Sequence, residues 1–470
     1  MKLRYPVIVF ALGVIGACSS ASDKKRVVYV AAAGGSTGSG SGGTFNLGGT
    51  GGGLMTGSCS SGTKTTVSGF AYDPKGVTPL YNVVVYVPKD PTDPPITHGP
   101  ACDSCTAPVP ALAVTLTDSS GHFVLEDVPT GGDIPLVIQV GKWRRRTTIP
   151  AVLPCQDNPI TDAEVTRLPR NQSEGSLPKI AFSTGHSDAL ECLLRKIGID
   201  DQEFSTDAES GSVHMFRGCI DDAGDAYGAS AFAPNIDNGA TFPSVTQMFD
   251  NNELTNYDMI LFSCEGHSCS DIQTSANITK LEAFEDTGGR VFLDHIHFRW
   301  ISQSDSNIQD AETDFSAASG KDPPPAVATI DQSFPKGMAF AEWLQAVGAT
   351  SAPGMITITK PQTSGGVVHP PLAQRWIYSD SPADNFYVTI NTPVPAADAI
   401  PDGGAPVCGR VVHTDLHVSN SGDSSTSLTP FPGSCTSMTL TPEEKALEFM
   451  IFDLSSCVQK EDQVPEPPPK

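Results

Sequence analysis

The sequence predicts a multidomain protein: an N-terminal β-sandwich, then an α/β domain with a doubly wound parallel sheet of the flavodoxin-like type. Residues 58–168 contain short strand-like runs separated by Gly- and Pro-rich turns, a pattern typical of a β-sandwich. Residues 177–458 alternate apolar strand-like runs with helical patterns, which is typical of a parallel sheet covered by helices on both faces.

The N-terminus has the pattern of an export signal. A short positive start precedes an apolar run at residues 7–15, which is too short to span a bilayer as a helix, since that needs about 20 apolar residues. The segment Ile15-Gly16-Ala17-Cys18 resembles the lipobox of bacterial lipoproteins. The resemblance implies removal of a signal peptide at residues 1–17 and lipidation of Cys18, which makes membrane lipid a partner. The alternative is an ordinary signal peptide with an incidental cysteine.

Residues 18–57 predict a flexible tether, because their Gly-, Ser- and Thr-rich composition cannot bury enough apolar surface to fold. By the sorting preference of such lipoproteins, Ser19 favours the outer membrane of a Gram-negative bacterium. The formal net charge of −24 argues against a nucleic-acid partner. The basic cluster at residues 142–146 is interpreted as a solvated strand end. The charged, Pro-rich tail at residues 459–470 predicts disorder.

Three short phrases within the predicted sandwich are similar to the carboxypeptidase regulatory-like family, a prealbumin-like β-sandwich. They are Val67-Ser68-Gly69, Thr117-Asp118-x-x-Gly121-x-Phe123 and Val128-Pro129-x-Gly131. The resemblance implies a non-catalytic spacer or binding domain, which in some family members binds carbohydrate. The strands predicted here span residues 66–72, 83–87, 113–117, 122–125 and 135–140.

Twelve cysteines in an exported chain predict disulfides, and the eleven besides Cys18 leave at least one thiol free or paired between chains. The candidate bonds are Cys102–Cys105, which staples a Pro-rich insertion, Cys59–Cys155, which brackets the sandwich, Cys264–Cys269, and Cys408–Cys435. A redox pair or half of a zinc site is the alternative at Cys102 and Cys105. For Cys264 a free structural thiol and a catalytic nucleophile are further alternatives.

The α/β domain has strands predicted at residues 179–183, 213–216, 257–263, 290–296 and 407–416. Its predicted helices are at residues 189–197, 244–250, 278–287, 338–347 and 442–454. Residues 302–335 are polar and too long for an ordinary connection, so they are interpreted as an inserted lid or disordered excursion.

Polar groups follow four of these strands, and ligands in such sheets bind beyond the carboxyl ends of the strands. Counting His214 in the second strand, seven of the ten histidines lie in or after these strands. The predicted pocket contains His186, Cys264, Glu265, Asp294, His295, His297, Asp415 and His417.

The order of elements resembles the class I glutamine amidotransferase-like superfamily and its ThuA-like (trehalose-utilisation) branch. The matching phrases are Tyr257-Asp258-Met259-Ile260-Leu261, the Gly-Gly strand at residues 288–295, and the closing strand at residues 409–417. The resemblance implies that the nucleophilic cysteine of the amidotransferases falls at His295. Glutamine hydrolysis needs a thiolate beside a base, so that activity is not expected.

The same polar groups suggest a divalent metal. Period-two geometry would place His295 and His297 on one face of their strand. It would likewise place His413, Asp415 and His417 on one face of theirs. If the two ends adjoin, they supply the ligands of a zinc or iron site. The alternatives are hydrogen bonds within a polar cleft, and a sugar ligand with Trp300 or Trp376 stacked on it.

We therefore expect a lipid-anchored binding or structural surface protein with a carbohydrate or protein ligand. The competing hypothesis is a hydrolase or carbohydrate-modifying enzyme that uses the His/Asp cluster, with or without a metal. The missing nucleophile favours the first, and the sequence leaves enzymatic activity open.

Overall fold

Four β-sheets organise the part of the chain that the computed structural model describes. That part comprises residues 59, 63–103, 105, 109–220, 228–304, 307–316, 323–380, 383–396, 406–418, 430–433 and 435–470. The predicted signal peptide, Cys18 and the whole predicted tether lie outside it. Within it, no helix has the length and apolar character needed to cross a membrane.

Two sheets form the N-terminal part. Their strands are β1 Thr66–Phe70, β2 Val84–Pro88, β3 Ala111–Leu116, β4 His122–Glu126, β5 Gly131–Val140, β6 Trp143–Val152, β7 Asp157–Pro159 and β8 Gly175–Ser176. One sheet has the order β4-β1-β7 and the other β3-β2-β5-β6-β8, with the short helix α1 (Ala163–Thr166) between β7 and β8. Apolar side chains of both sheets, such as Val67 and Ile138, share one buried core, as alternating strands require.

The basic cluster at residues 142–146 is not a solvated strand end. Most of it lies in β6, and Lys142 Nζ is 2.6 Å from Asp258 Oδ1 on the second part of the chain. Arg146 Nη1 is 2.9 Å from Asp93 Oδ1. Two of its positive charges therefore hold neighbouring segments together.

A ten-stranded sheet forms the core of the second part. Its strands are β9 Ile180–Ser183, β10 Phe204–Ser205, β11 Val213–Phe216, β12 Met259–Phe262, β13 Arg290–Asp294, β15 Ala326–Ile330, β16 Met355–Ile358, β18 Ala373–Asp380, β19 Ala383–Thr392 and β20 Gly409–Thr414. Their order is β10-β11-β9-β12-β13-β20-β19-β18-β15-β16. A separate two-stranded sheet pairs β14 (Glu312–Thr313) with β17 (Val367–Val368).

This sheet is mixed, which corrects the prediction of a wholly parallel one. The six strands from β10 to β20 are parallel, and the remaining four continue the sheet antiparallel to their neighbours. β18 and β19 are joined directly as a hairpin, whereas a parallel connection would need a crossover of a dozen residues or more.

Helices cover both faces of the sheet. They are α2 Glu191–Lys196, α3 Val245–Asp250, α4 Ser275–Asp286, α5 Arg299–Ser302, α6 Pro335–Ala346 and α7 Pro442–Ser455. Capping boxes start α3 at Ser244 and α7 at Thr441, where side-chain oxygens accept the first backbone N–H groups. One buried cluster joins α2, α6 and α7 to the sheet and the sandwich, and another contains α3, α4 and α5.

Among the described residues, the predicted insertion contains strands and the predicted tail contacts the rest of the chain. β14 and β15 come from residues 302–335, so the described part of this segment contains regular strands. In the tail, Glu461 Oε1 lies 2.5 Å from Nη2 of the buried Arg410, and Val109 donates its N–H to the Pro469 carbonyl at 2.8 Å. A buried guanidinium needs hydrogen-bond acceptors, and Glu461 of the tail provides one for Arg410.

The sandwich packs directly on α7. The rings of Tyr81 and Phe449 stack with centroids 6.0 Å apart, and Trp143 meets Phe452 at 5.7 Å. Trp343 of α6 also donates its indole N–H to the Pro79 carbonyl at 2.7 Å. These contacts join the described residues of the sandwich and the α/β part into one compact unit.

Five disulfides are present among the described residues, and most differ from the predicted pairs. They are Cys59–Cys155, Cys102–Cys408, Cys105–Cys457, Cys192–Cys435 and Cys219–Cys269. Cys59–Cys155 is as predicted. The Cys102–Cys105, Cys264–Cys269 and Cys408–Cys435 pairs are wrong, because the fold brings each bonded cysteine to a distant partner. Cys264 remains a buried free thiol.

Two buried carboxyl groups meet where the sandwich contacts α7. Asp73 caps a turn by accepting the Val77 N–H at 2.8 Å, and its neighbour across the interface is Glu448. Burial raises the pKa of Asp73 to about 6. Burial, and then the charge of Asp73, raise the pKa of Glu448 well above its usual value.

We predict that Glu448→Gln stabilises the protein at pH 8. A raised carboxyl pKa means that the folded state holds protons that the unfolded state releases, so wild-type stability falls as the pH rises from about 4 towards 8. The glutamine cannot ionise, so the free energy of unfolding at pH 8 should rise by about 1–2 kcal/mol. Thermal denaturation at pH 5 and pH 8 measures this, with the exposed Glu209→Gln as control. Equal pH dependence in wild type and Glu448→Gln would contradict the assignment.

Candidate functional site

Three neighbouring parallel strands converge on one point at their carboxyl ends. β12, β13 and β20 lie side by side, with Phe262 opposite Leu293 and Asp294 opposite Thr414. Cys264, His295 and His417 follow these strands within three residues or fewer. The topology therefore brings together a thiol and two imidazoles that are far apart in the sequence.

The three side chains lie close together. Cys264 Sγ lies 3.3 Å from His295 Nδ1, and the His295 and His417 ring centroids are 5.3 Å apart. One donor atom from each residue lies within 4.8 Å of the other two, and all three residues are buried. This is the kind of group that can hold a metal ion.

His295 occupies a sharp turn. β13 ends at Asp294, and His295 then adopts φ = +42° and begins a short 3-10 helix, His295–Phe298, that leads into α5. Positive φ is uncommon for a residue with a Cβ and persists only where the surroundings hold it. The turn directs the His295 ring towards Cys264.

Two buried aspartates support the cluster. Asp294 Oδ2 accepts the Cys264 N–H at 3.1 Å, and its Oδ1 lies 3.6 Å from His417 Nε2. Asp188 accepts the Val418 N–H at 2.9 Å and so fixes the loop that carries His417. Burial, and then the neighbouring Asp188, raise the pKa of Asp294 well above its usual value.

Burial favours the uncharged forms of the Cys264 thiol and the His417 imidazole. Burial, and then the charge of Asp294, raise the pKa of the Cys264 thiol well above its usual value. Burial, and then His295, lower the pKa of His417 well below its usual value. Neither ring nitrogen of His417 makes a hydrogen bond within the described residues, although the side chain is only 1% exposed. A buried imidazole without such bonds costs free energy unless another group engages it.

His297 and Glu265 form a separate buried pair behind the cluster. Their Nε2 and Oε2 atoms are 2.7 Å apart, and the Trp300 indole N–H donates to His297 Nδ1 at 3.2 Å. The prediction that His295 and His297 share a strand face is wrong, because the strand ends before both of them.

His413 and Asp415 point to other partners, so they do not share one face with His417 as a ligand set. His413 Nδ1 lies 3.1 Å from Glu312 Oε2, and both residues are fully buried. Asp415 accepts the Ser364 hydroxyl at 2.7 Å and the Ser364 N–H at 2.6 Å. Burial, and then the charge of Asp415, raise the pKa of the nearby Asp384 carboxyl group.

Three other predicted contributors lie outside the cluster. His186 follows β9 and is half-buried, and burial, and then nearby His267, lower its pKa. Trp300 and Trp376 are buried and pack against Phe262 and Tyr387, respectively, so neither offers a face on which a sugar could stack. A second metal-like group, Cys219 with Glu265 and Cys269, is excluded because its two cysteines form a disulfide.

Sequence reasoning missed Asp188, Glu312 and Ser364. Asp188 follows the polar residues 183–186 at the end of β9, and these residues were the available sign of a polar site there. Glu312 lies in a segment interpreted as an excursion, and Ser364 in a connection without a recognisable pattern. Nothing local marks these two, because their roles arise from contacts with residues 413–415.

No protein-family model and no curated protein matches the sequence. Among solved structures, chains of two interface mutants of a type II cohesin–X-dockerin complex from Acetivibrio cellulolyticus are 16% identical, with a TM-score of 0.15. The matches cover 32% and 31% of this chain and 79% and 78% of those chains. A putative ThuA-like protein from Bacteroides uniformis is 9% identical over 58% of this chain and 89% of its own, with a TM-score of 0.24. Scores this low do not establish a shared fold.

We predict that Cys264 is unreactive in the native protein and becomes reactive on unfolding. In the full chain with Cys18→Ser, purified without reductant, thiol titration should find no accessible thiol before denaturation and a single thiol afterwards. The reason is that the other described cysteines are disulfide-bonded and Cys264 is fully buried. Adding Cys264→Ser should abolish the signal. A protein with no thiol after denaturation would show that Cys264 is oxidised or bonded.

Proposed function

We propose that this protein is a lipid-anchored envelope protein that binds a divalent transition metal, zinc by its donor set, through Cys264, His295 and His417. The observation that carries the proposal is the convergence of one thiol and two imidazoles in a buried site. Sulfur and imidazole nitrogen are the donors that zinc prefers in proteins.

The spacing of the donors suits such an ion. With zinc–sulfur and zinc–nitrogen bonds of about 2.3 and 2.0 Å, two ligands on a tetrahedral ion lie roughly 3.5 Å apart. Cys264 Sγ and His295 Nδ1 are 3.3 Å apart, and the third donor lies within 4.8 Å of both. The Asp294 carboxyl group lies beside His417, with Oδ1 3.6 Å from Nε2, but it is not part of the group of donors that all lie within 4.8 Å of one another.

The hydrogen-bonding state of His417 also supports the proposal. A metal would engage one of its two unsatisfied nitrogens. A bound cation would also favour the Cys264 thiolate, which burial otherwise opposes, because metal binding is coupled to ligand deprotonation. A bound ion would cross-link the ends of three strands. The protein's own residues hold the donors and exclude water from them.

A thiol-dependent hydrolase is the second candidate. The 3.3 Å contact between Cys264 Sγ and His295 Nδ1 resembles a nucleophile beside a base. Against it stand the complete burial of Cys264 and the raised pKa of its thiol, since the thiolate is the nucleophile. A binding role for the site therefore fits the geometry better than catalysis.

We predict that the anchor depends on Cys18. Cells that express the full chain should incorporate radiolabelled palmitate into it and retain it in the membrane fraction. Cys18→Ser should lose both properties, because the only signal proposed for anchoring is lipid on that cysteine. Ser19→Ala serves as the matched control. Membrane retention of the Cys18→Ser protein would contradict lipid anchoring without bearing on the metal site.

We predict that the full chain with Cys18→Ser binds a single equivalent of zinc or cobalt after chelator treatment and reconstitution. Metal analysis and the thiolate-to-cobalt charge-transfer band measure this. Adding Cys264→Ser should abolish that band, and His417→Gln should weaken binding by about 100-fold or more, because each removes a ligand.

His267→Gln is the matched control, since that imidazole lies at the same sheet edge and its Nδ1 is 2.9 Å from the Ser268 carbonyl oxygen instead. This variant should bind zinc and cobalt as tightly as the parent chain does. Failure of the parent chain to bind either metal, or equal binding by Cys264→Ser, would overturn the proposal.

A further inference from the structure

The layer of residues on the β20 side of the cluster has no role in the metal proposal so far. It contains two interactions, the buried pair between Glu312 and His413 and the clamp between Ser364 and Asp415. We infer that this layer positions His295, by holding the strained turn from which its imidazole reaches Cys264. The inference rests on the proposed metal site for its function, while its geometry stands independently.

The first interaction connects the insertion to β20. Both carboxylate oxygens of Glu312 lie within hydrogen-bonding distance of His413 Nδ1, at 3.2 and 3.1 Å. Glu312 Oε1 also accepts the Gly366 N–H at 2.9 Å. A carboxylate with these partners fixes the His413 ring in one orientation within a fully buried site.

The second interaction lies directly against the His295 turn. Ser364 donates its hydroxyl to Asp415 Oδ1 at 2.7 Å. The Ser364 Oγ atom also lies 3.5 Å from the His295 carbonyl oxygen. Asp415 Oδ2 accepts the N–H groups of Ser364 and Gly365 at 2.6 and 2.7 Å. The clamp therefore holds Ser364 rigidly at the point where β13 turns.

The His295 turn needs such support. His295 has a Cβ and a positive φ, and this uncommon conformation persists only where the surroundings hold it. β20 is the immediate neighbour of β13, with Leu293 opposite His413 and Asp294 opposite Thr414. His413 thus lies opposite Leu293, two residues before His295, and its imidazole interacts with the His295 backbone.

The layer also gives β14, within residues 302–335, a structural role. β14 carries Glu312, and it pairs with β17, which follows Ser364 and Gly366 directly. The small two-stranded sheet therefore delivers both supporting interactions to the same turn. Groups that orient metal ligands commonly contribute about 10- to 100-fold to metal affinity.

The test compares two identical substitutions at buried strand histidines in the full chain with Cys18→Ser. His413→Gln disturbs the supporting layer. His214→Gln on β11 is the matched control, because it removes an equally buried imidazole whose Nδ1 lies 3.0 Å from the Tyr257 hydroxyl instead. Both should lower thermal stability, so stability alone does not discriminate.

Two readouts do discriminate. His413→Gln should weaken cobalt affinity about 10- to 100-fold and alter the cobalt ligand-field spectrum, whereas His214→Gln should leave both unchanged. In metal-free protein, His413→Gln should also raise the alkylation rate of Cys264 several-fold over His214→Gln, because a loosened His295 turn uncovers the thiol.

A second pair of variants guards against misfolding. Glu312→Gln keeps an oxygen that can accept from His413 and from the Gly366 N–H, so it should retain most of the wild-type affinity and spectrum. Glu312→Ala should lose them. Equal affinities, spectra and alkylation rates for His413→Gln and His214→Gln would overturn the inference. If the parent chain binds no cobalt, the metal proposal fails, and the alkylation rates alone then decide whether the layer positions His295.

Discussion

One constraint governs the second part of the chain: ionisable side chains at the carboxyl edge of the parallel strands are cut off from water and need partners inside the protein. Glu265 lies against His297 and Glu312 against His413, each as a fully buried pair. Loss of one member would leave an uncompensated polar group in apolar surroundings. These pairs therefore fix the paths of the loops beyond the sheet. His417 is the exception, because its ring nitrogens make no hydrogen bond among the described residues. This is why we propose it as a metal ligand.

Elements with strong local signals were predictable from the sequence. β11 was predicted at residues 213–216 and spans Val213–Phe216, because a short apolar run lies between polar segments. α7 was predicted at 442–454 and spans Pro442–Ser455, since Thr441 provides a capping box. The antiparallel strands β18 and β19 were missed. The burial of these strands depends on their packing beside β20, which is a property of the tertiary structure. The periodicity of the segment alone therefore did not predict them.

The site could be predicted as a region but not as a set of ligands. Parallel topology alone was enough to collect histidines at one sheet edge. Which of them converge depends on where each strand stops. β13 ends at Asp294 and the chain then turns through a positive φ, so the two-residue alternation extrapolated beyond the strand assigned His297 wrongly. Glu312 and Ser364 contribute only through contacts with residues that are 101 and 51 positions away, respectively, for which a single sequence carries no signal.

The disulfide pattern has a consequence for biosynthesis. Cys102 and Cys105 emerge from the ribosome almost together, but their partners Cys408 and Cys457 follow 306 and 352 residues later. When an oxidant is present, two thiols that are close in sequence bond most readily, so a non-native bond between Cys102 and Cys105 is kinetically accessible long before either final bond. In an oxidising compartment, delayed oxidation or thiol–disulfide exchange would favour the two long-range bonds over that local one.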